Sequence, residues 1–334
     1  MRFPASLYIS LTKCFVKNAV SGRKRFPLVL MLEPTHRCNL ACAGCDRIRL
    51  HDDMQSADLS LEQCIASVKE SDAPVITVTG GEPMLYKDLV PLISELLRMK
   101  KQVYFCTNGL LTESFIEEFT PNPSLTINFH LDGLEASHDS IVNRSGTFRK
   151  TVETIKLAKQ RGFRVSTNTS VYKNSDIKEL ESLFELLAGL NIDGTLIAPA
   201  FSYESVGNDI FLDKKEIHKK FTEMAAFFKK FPFMNSPLYV DLLKGEKQMQ
   251  CTPWGNPTRN PLGWKSPCYL ITDKYYSSFD EMMEKTAWER YGSGNDPRCE
   301  NCLVHSGYEA SVMRTAFANP KDLLRLLLWN FSSR

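Results

Sequence analysis

The sequence predicts an α/β fold: an open barrel of six β/α units with an irregular extension behind it. Three observations carry that expectation. Apolar, β-rich runs recur at 28–33, 75–79, 102–107, 124–131, 164–171 and 195–200, and helical patterns fall between them at about 60–71, 87–100, 112–119, 147–162 and 176–189. Strands alternating with helices imply parallel pairing through right-handed crossovers. Cysteine-bearing and polar motifs sit at or just after the ends of these runs, where barrels of this kind keep their chemistry. The rhythm stops near residue 203, two units short of a closed eightfold barrel.

Taken in order, the chain opens on an unusual segment. Residues 1–27 hold six basic side chains (Arg2, Lys13, Lys17, Arg23, Lys24, Arg25) and no acidic ones. Leu7, Tyr8, Leu11, Cys14, Phe15 and Ala19 recur there at roughly helical spacing. Such a helix lies either in an anionic bilayer surface or across one end of the folded protein, and the two are not exclusive. The barrel units occupy 28–203. Ser60 precedes Leu61, Glu62 and Gln63, a capping-box start, and Gly162 and Gly189 stand near helix ends where a left-handed cap is wanted. The extension covers 204–334. Within it, 213–231 reads as one amphipathic helix through Ile217, Phe221, Met224, Ala225 and Phe228. Pro253, Gly255, Pro257, Pro261, Gly263 and Pro267 follow, and loops so rich in breakers need something to order them. The apolar stretch Leu323–Trp329 reads either as a surface helix that contacts lipid or as a helix docked on the barrel.

With 334 residues, 43% hydrophobic and 24% charged, the chain has ordinary globular composition and can bury a sizeable core. A net charge of +2 argues against a nucleic-acid partner. Ten cysteines would form a disulfide framework only in an oxidising compartment. There is no cleavable signal pattern and no apolar stretch of about 18 residues, so a reduced, cytoplasmic location is expected.

Cys38, Cys42 and Cys45 carry the strongest chemical signal. They stand with three and then two residues between them, on a loop directly after the apolar run Leu28–Leu32. Thiolates so spaced can converge on an iron–sulfur cube, and a local group of three leaves the fourth iron open to a small molecule. A structural zinc wants a closed set of four ligands, and three unconnected thiols would simply pack as small hydrophobes. Gly80-Gly81-Glu82-Pro83 follows the second run; its glycines let backbone approach a ligand, and Glu82 offers acceptors to an ammonium group. Alone, that segment is a plain turn. In the tail, Cys251, Cys268, Cys299 and Cys302 supply four ligands, enough for a second [4Fe–4S] cluster or a zinc. Cys14 and Cys64 fall in helical patterns and read as packing, while His36 and His130 have no pattern of their own.

The Cys-x3-Cys-x2-Cys spacing resembles the cluster motif of the radical S-adenosylmethionine (SAM) enzymes. Glu33–Leu40, Thr79–Pro83, Phe105–Gly109 and His130–Gly133 are similar to one branch of that superfamily. The tail segments Cys251–Asn260 and Asn295–Cys302 bring the resemblance, over nearly the whole chain, to the adenosyl-hopene transferase family.

That resemblance implies a partial (β/α)6 radical SAM barrel and a list of roles. The open iron on Cys38, Cys42 and Cys45 would chelate the amino and carboxylate groups of SAM, with Gly80, Gly81, Glu82 and Pro83 at its methionine end. Asn108, Asp132 and Asn168, near later strand ends, would hold ribose hydroxyls and the adenine edge, Asp132 ranking first; otherwise they cap turns, as such residues favour. Cys106 would return a hydrogen atom after an adenosyl group adds to an alkene, its alternative being an inert strand thiol. The implied substrate is diploptene, a flat hopanoid alkene, lined by Phe201, Tyr203, Trp254 and Trp264 and converted to adenosylhopane in hopanoid biosynthesis. The implied partners are an electron donor such as flavodoxin or ferredoxin and the inner face of the membrane. Where the family tends to show a further cysteine, this chain has Ser306, which therefore cannot be an obligatory ligand. Two other readings compete: a hydrogen-abstracting enzyme with an auxiliary cluster that modifies a peptide or metabolite, and a non-enzymatic iron–sulfur or zinc scaffold. The Gly-Gly-Glu-Pro segment and the ligand-rich strand ends speak against the scaffold.

Overall fold

The structure is a computed structural model that describes residues 3–46, 58–207 and 209–331. Arg2 lies outside the described residues. Strands β1 (Val29–Leu32), β2 (Val75–Val78), β3 (Gln102–Thr107), β4 (Leu125–His130), β5 (Arg164–Val171) and β6 (Gly194–Pro199) pair in parallel, in the order β6-β5-β4-β3-β2-β1. Each lies within its expected run or one residue from it. Helix α1 (Ala5–Val20) precedes the strands. Helices α2 (Leu61–Ser71), α3 (Leu89–Arg98), α4 (Thr112–Glu118), α5 (Glu135–Ile141), α6 (Thr147–Gln160) and α7 (Ile177–Gly189) fall between them. The α2 start is the expected capping box: Ser60 Oγ accepts from Gln63 N at 3.2 Å, and Ser60 N donates back to Gln63 Oε1 at 2.8 Å.

Side chains on a strand alternate between faces, so each barrel strand is read twice. Phe105, Ile127, Phe129 and Val165 are fully buried, and Phe105 meets Phe115 of α4 with ring centroids 5.0 Å apart. Burying each such side chain is worth about 2–3 kcal/mol, and this outward layer holds the helices to the sheet. The alternate positions face the lumen and are polar. Cys106 stands opposite Asn128, Asn128 opposite Ser166, and His130 opposite Asn168.

The extension departs from the expected irregularity. Strands β7 (Thr258–Asn260), β8 (Gly263–Pro267) and β9 (Thr272–Tyr276) continue the sheet, β7 parallel to β1 and the next two antiparallel, giving nine strands in one sheet. The breaker residues make its turns: Asn260 Oδ1 accepts from Leu262 N at 3.0 Å, and Gly263 has a positive φ of 136°. The helix expected over 213–231 is two, α8 (Lys214–Glu223) and α9 (Phe227–Lys230), because the Phe227 amide turns back onto the Met224 carbonyl. Ile217, Phe221, Met224 and Phe227 stay buried through the break. Helices α10 (Pro237–Leu243), α11 (Phe279–Lys285), α12 (His305–Ala318) and α13 (Pro320–Phe331) complete the described elements.

Two helices close the barrel. Asn235 bonds both the amide and the carbonyl of Ile197, so its segment runs beside β6, and next to it Ser236 N donates to Glu309 Oε1 of α12 at 3.3 Å. On its other side α12 receives Thr252 N on Ser311 Oγ at 2.9 Å, just before β7. Helix α12 thus bridges the segment that runs beside β6 and the segment that leads into β7, which pairs with β1. Helix α1 covers the N-terminal strand ends: Ser6 Oγ donates to Gln102 Oε1, Cys14 Sγ to Pro27 O, and Lys17 pairs with Asp72. The opposite end, at the C-terminal ends of the strands, is the mouth.

Candidate active site

At the mouth, the stretch before Cys38 is pinned by the loop after β2. Gly81 N donates to Thr35 O at 3.0 Å and Glu82 N to Arg37 O at 2.7 Å. Gly80 has φ +123°, and a Cβ on Gly81 would overlap the Arg37 carbonyl and lie 2.6 Å from His36 O. Close backbone approach is why this segment needs two glycines. Glu82 is 1% exposed. One carboxylate oxygen accepts from Met84 N at 3.1 Å and Thr107 Oγ1 at 2.8 Å, and the other from Asn108 N at 2.8 Å. Burial pushes its pKa up to about 7. The carboxylate that the sequence offered to an ammonium group is therefore engaged inside the protein, bracing this loop against the end of β3.

The loop carrying the three thiols is held from several sides. Asn108 Nδ2 donates to Asn39 Oδ1 at 2.7 Å, Ala43 N to Ile141 O at 2.8 Å, and Cys45 N to Cys42 O at 3.2 Å. Tyr172 packs so closely that a Cβ on Gly44 would sit 2.7 Å from its hydroxyl. Cys38, Cys42 and Cys45 are all part-exposed. Burial, with the neighbouring thiols adding, pushes Cys42 well up and Cys38 up to about 11. Bound iron would offset that cost, since a coordinated thiol is held deprotonated. Among the described residues no three His, Cys, Asp or Glu side chains focus on a single ion. The three thiols are mutual neighbours on one loop, as ligands at the corners of a cube must be.

Beside them lies a histidine–carboxylate group. Asp132 is 2% exposed; Oδ2 lies 2.7 Å from His130 Nε2, Oδ1 accepts from Ser170 N at 2.7 Å, and its own amide donates to His138 Nδ1 at 3.2 Å. Burial pushes His138 down to about 4, which keeps Nδ1 free to accept. For His130 burial opposes the charge, but the Asp132 carboxylate outweighs it and the pKa rises. Asp132 thus has both oxygens engaged by protein, and His130 is the member left part-exposed to the lumen. Asn168, opposite His130, keeps its Oδ1 buried with no hydrogen-bond partner, an acceptor suited to a ligand. Asn108 spends its side chain on Asn39 and on the Leu110 amide.

Cys106 is part-exposed in the lumen, one layer below His130. Asn128 Nδ2 donates to its Sγ at 3.5 Å, and Ser166 Oγ donates to Asn128 Oδ1 at 2.8 Å. Burial pushes the thiol up to about 11, so it carries its hydrogen at neutral pH. Cys64, by contrast, is fully buried against Tyr86.

The four tail thiols, Cys251, Cys268, Cys299 and Cys302, line one cavity together with Phe201 and Ser306. Ile271 N donates to Cys268 Sγ at 3.3 Å, and Cys302 N to Cys299 O at 3.1 Å. The aromatics expected to line an apolar cleft separate here. Phe201 and Tyr203 pack edge-on with centroids 4.9 Å apart beside this cavity. Trp264 is 1% exposed and donates to Glu70, while Trp254 packs on Trp288 under Arg25 and Arg314. Both tryptophans are packing: Trp264 ties the extension to α2 through Glu70, and Trp254 is sandwiched between Trp288 and the Arg25 and Arg314 guanidinium groups. Sequence reasoning missed Asn39, Thr107, Asn128, Ser166, His138 and Tyr172. Only Asn39, which lies between two motif cysteines, had a usable signal.

Residues 32–187 match the Radical SAM superfamily. The chain carries a radical SAM domain. Residues 195–326 match a domain of unknown function, DUF3463. The antilisterial bacteriocin subtilosin biosynthesis protein AlbA of Bacillus subtilis (strain 168) is 25% identical over 323 residues, which is 86% of this chain and 68% of that protein. A GTP 3′,8-cyclase of Peptoclostridium acidaminophilum is 29% identical over 172 residues, 49% of this chain, and the chain spans about half (53%) of that enzyme. The crystal structure of Streptococcus suis SuiB bound to precursor peptide SuiA superposes with a TM-score of 0.67 at 14% identity, over 91% of this chain and 76% of that one, a likeness of fold. A radical SAM domain takes a [4Fe–4S] cluster and SAM, and the residues at the mouth fit both: three part-exposed thiols on one loop, and the unpartnered Asn168 acceptor beyond them. Among the described residues no helix is long and apolar enough to cross a membrane.

Proposed function

We propose that this radical SAM enzyme adds the 5′-deoxyadenosyl group of SAM to the alkene of a hydrophobic polycycle, diploptene, and completes the product with a hydrogen atom from Cys106. The observation that carries this reading is a part-exposed thiol inside the lumen, near the end of β3 and held by Asn128. A [4Fe–4S] cluster held by Cys38, Cys42 and Cys45, with SAM, would supply the 5′-deoxyadenosyl radical. The loop after β2 holds their strand end in place. Asn168 offers an acceptor to the adenosyl half, and α1 and α12 keep water from the floor and side of the lumen. Addition to the alkene forms one C–C bond and leaves an odd electron on the neighbouring substrate carbon. Cys106 Sγ–H gives its hydrogen atom to that carbon, the S–H bond breaking as the C–H bond forms. One electron from a flavodoxin- or ferredoxin-class donor and one proton then restore the thiol.

Four thiols around one cavity support a second metal site in the extension, a [4Fe–4S] cluster or a zinc. Helix α1 exposes Ile9, Lys13, Val16 and Val20 along one stripe, which supports peripheral contact with an anionic bilayer.

A second reading has its own support. By name AlbA serves bacteriocin biosynthesis, and SuiB was solved with a precursor peptide. The comparisons therefore lean toward hydrogen abstraction from a peptide, with an auxiliary cluster in the tail. Anaerobic incubation of the cluster-loaded protein with SAM, reductant and solubilised diploptene separates the two. Mass spectrometry should find diploptene plus a deoxyadenosyl group and a hydrogen. Free 5′-deoxyadenosine over unchanged diploptene would overturn the addition and favour the peptide reading.

A further inference from the structure

Cys106 does not sit alone in its layer of the lumen. Asn128 is 7% exposed and Ser166 is fully buried, and both stand at the same register level as Cys106 on adjacent strands. Ser166 Oγ donates to Asn128 Oδ1 at 2.8 Å, and Asn128 Nδ2 donates to Cys106 Sγ at 3.5 Å, so the three side chains form one chain of hydrogen bonds across β3, β4 and β5. With its sulfur accepting from Asn128, the thiol has no need to donate along the sheet, and its own hydrogen is free to turn into the lumen. We infer that Asn128, locked by Ser166, is the positioning residue that presents the Cys106 S–H bond to the substrate carbon. This rests on Cys106 being the hydrogen donor.

The charged and titratable groups around the thiol are Glu82 after β2, Tyr104 on its own strand and Arg164 on β5, which faces Tyr104. Asn128 contributes no charge, so replacing it isolates the hydrogen bond. An N–H donor stabilises a thiolate, so its loss moves the thiol titration upward.

The test uses the full-length, cluster-loaded protein in two measurements. In the first, alkylation of Cys106 by iodoacetamide is followed by peptide mass spectrometry across pH without SAM, for wild type, Asn128→Leu, Asn128→Ser and Ser166→Ala. A titration moved up by one unit would slow Cys106 alkylation about tenfold at a fixed pH below the transition. We expect that slowing for Asn128→Leu, a smaller one for Ser166→Ala, and recovery for Asn128→Ser, which restores a short donor. In the second, turnover with SAM and diploptene is split into SAM cleavage and yield of hydrogen-completed product. Cleavage should hold while completed product falls at least fivefold in Asn128→Leu. Should Asn128→Leu fail to fold, Ser166→Ala, which leaves packing almost unchanged, carries the same comparison. An unchanged alkylation profile in a folded variant overturns the inference. A shifted profile with undiminished completed product keeps the hydrogen bond but overturns Asn128 as the positioning residue, while Cys106→Ala tests the donor itself.

Discussion

Gly81→Ala is the sharpest perturbation the site offers, because nothing about the residue is chemical. A Cβ there would overlap the Arg37 carbonyl and lie 2.6 Å from His36 O, where about 3.4 Å is ordinary contact. Both obstacles are backbone, so the loop and the strand end must part by on the order of 1 Å. That breaks two bonds, Gly81 N to Thr35 O and Glu82 N to Arg37 O. Each is worth about 1 kcal/mol net, and a buried amide left unmet costs about 1–3 kcal/mol, so the substitution should cost about 2–5 kcal/mol. Against a total stability of about 5–15 kcal/mol the fold survives. A Tm lower by about 5–10 °C is expected, at about 2 °C per kcal/mol for a chain of this size. The functional cost is larger, because the displaced strand end leads directly into Cys38. Anaerobic titration should show SAM affinity down at least tenfold, since such displacements alone can cost that much. Iron retained at the first site should fall with it. The control is Gly189→Ala, where a Cβ meets nothing within 4 Å, and which should be neutral or slightly stabilising. A Gly81→Ala protein with wild-type Tm and wild-type SAM affinity would refute the claim that this loop positions the cluster.

Further expectations concern single side chains. Cys106→Ala should still cleave SAM and couple the adenosyl group while failing to deliver the hydrogen-completed product cleanly; normal yield and stereochemistry by mass spectrometry and NMR would sink the donor role. Asn39→Ala removes the acceptor of the 2.7 Å bond from Asn108 and should raise the KM for SAM several-fold while the iron count holds, since about 1 kcal/mol is lost from the loop but no ligand is removed. His138, pushed down to about 4 from 6.5, contributes about 3 kcal/mol that is present above pH 6.5 and lost as the pH falls toward 4. His138→Asn, which keeps an acceptor for the Asp132 amide, should flatten the wild-type loss of Tm between those pH values; parallel pH curves would contradict the assignment. Cys268→Ser and Cys302→Ser should each lower iron per chain by up to four without abolishing the signal of the first cluster, and unchanged iron in both would remove the tail cluster.

The residues that sequence reading found and those it missed differ in a physical way. The strands were legible because their outward faces are continuous β-branched and aromatic runs, and the helix starts because a capping box is local. The thiol loop was legible because its three ligands are neighbours in sequence. Asn128 and Ser166 were not, since they matter only through register: each becomes a neighbour of Cys106 when β4 and β5 align, and nothing local announces it. Glu82 and Asp132 were legible as carboxylates at strand ends, but their protein partners, Thr107 and the Asn108 amide for one and His130 and the Ser170 amide for the other, were not. The tail strands were hidden because a strand of three residues, Thr258–Asn260, carries no period to detect.

How the lumen is closed bears on the substrate. Helix α1 lies across the N-terminal strand ends, so the C-terminal mouth is the way in. The exposed stripe of Ile9, Val16 and Val20 lies on the side of α1 opposite Leu7 and Asn18, which face the barrel. A bilayer resting on that stripe would therefore meet the end of the barrel away from the mouth. Contact with lipid at α1 and delivery of a hydrophobic alkene to Cys106 are thus two separate matters. Vesicle flotation of an α1 variant with Ile9, Val16 and Val20 changed to Ser can abolish membrane contact and leave turnover on solubilised diploptene intact. Loss of turnover with that variant would mean that α1 does more than seal the floor.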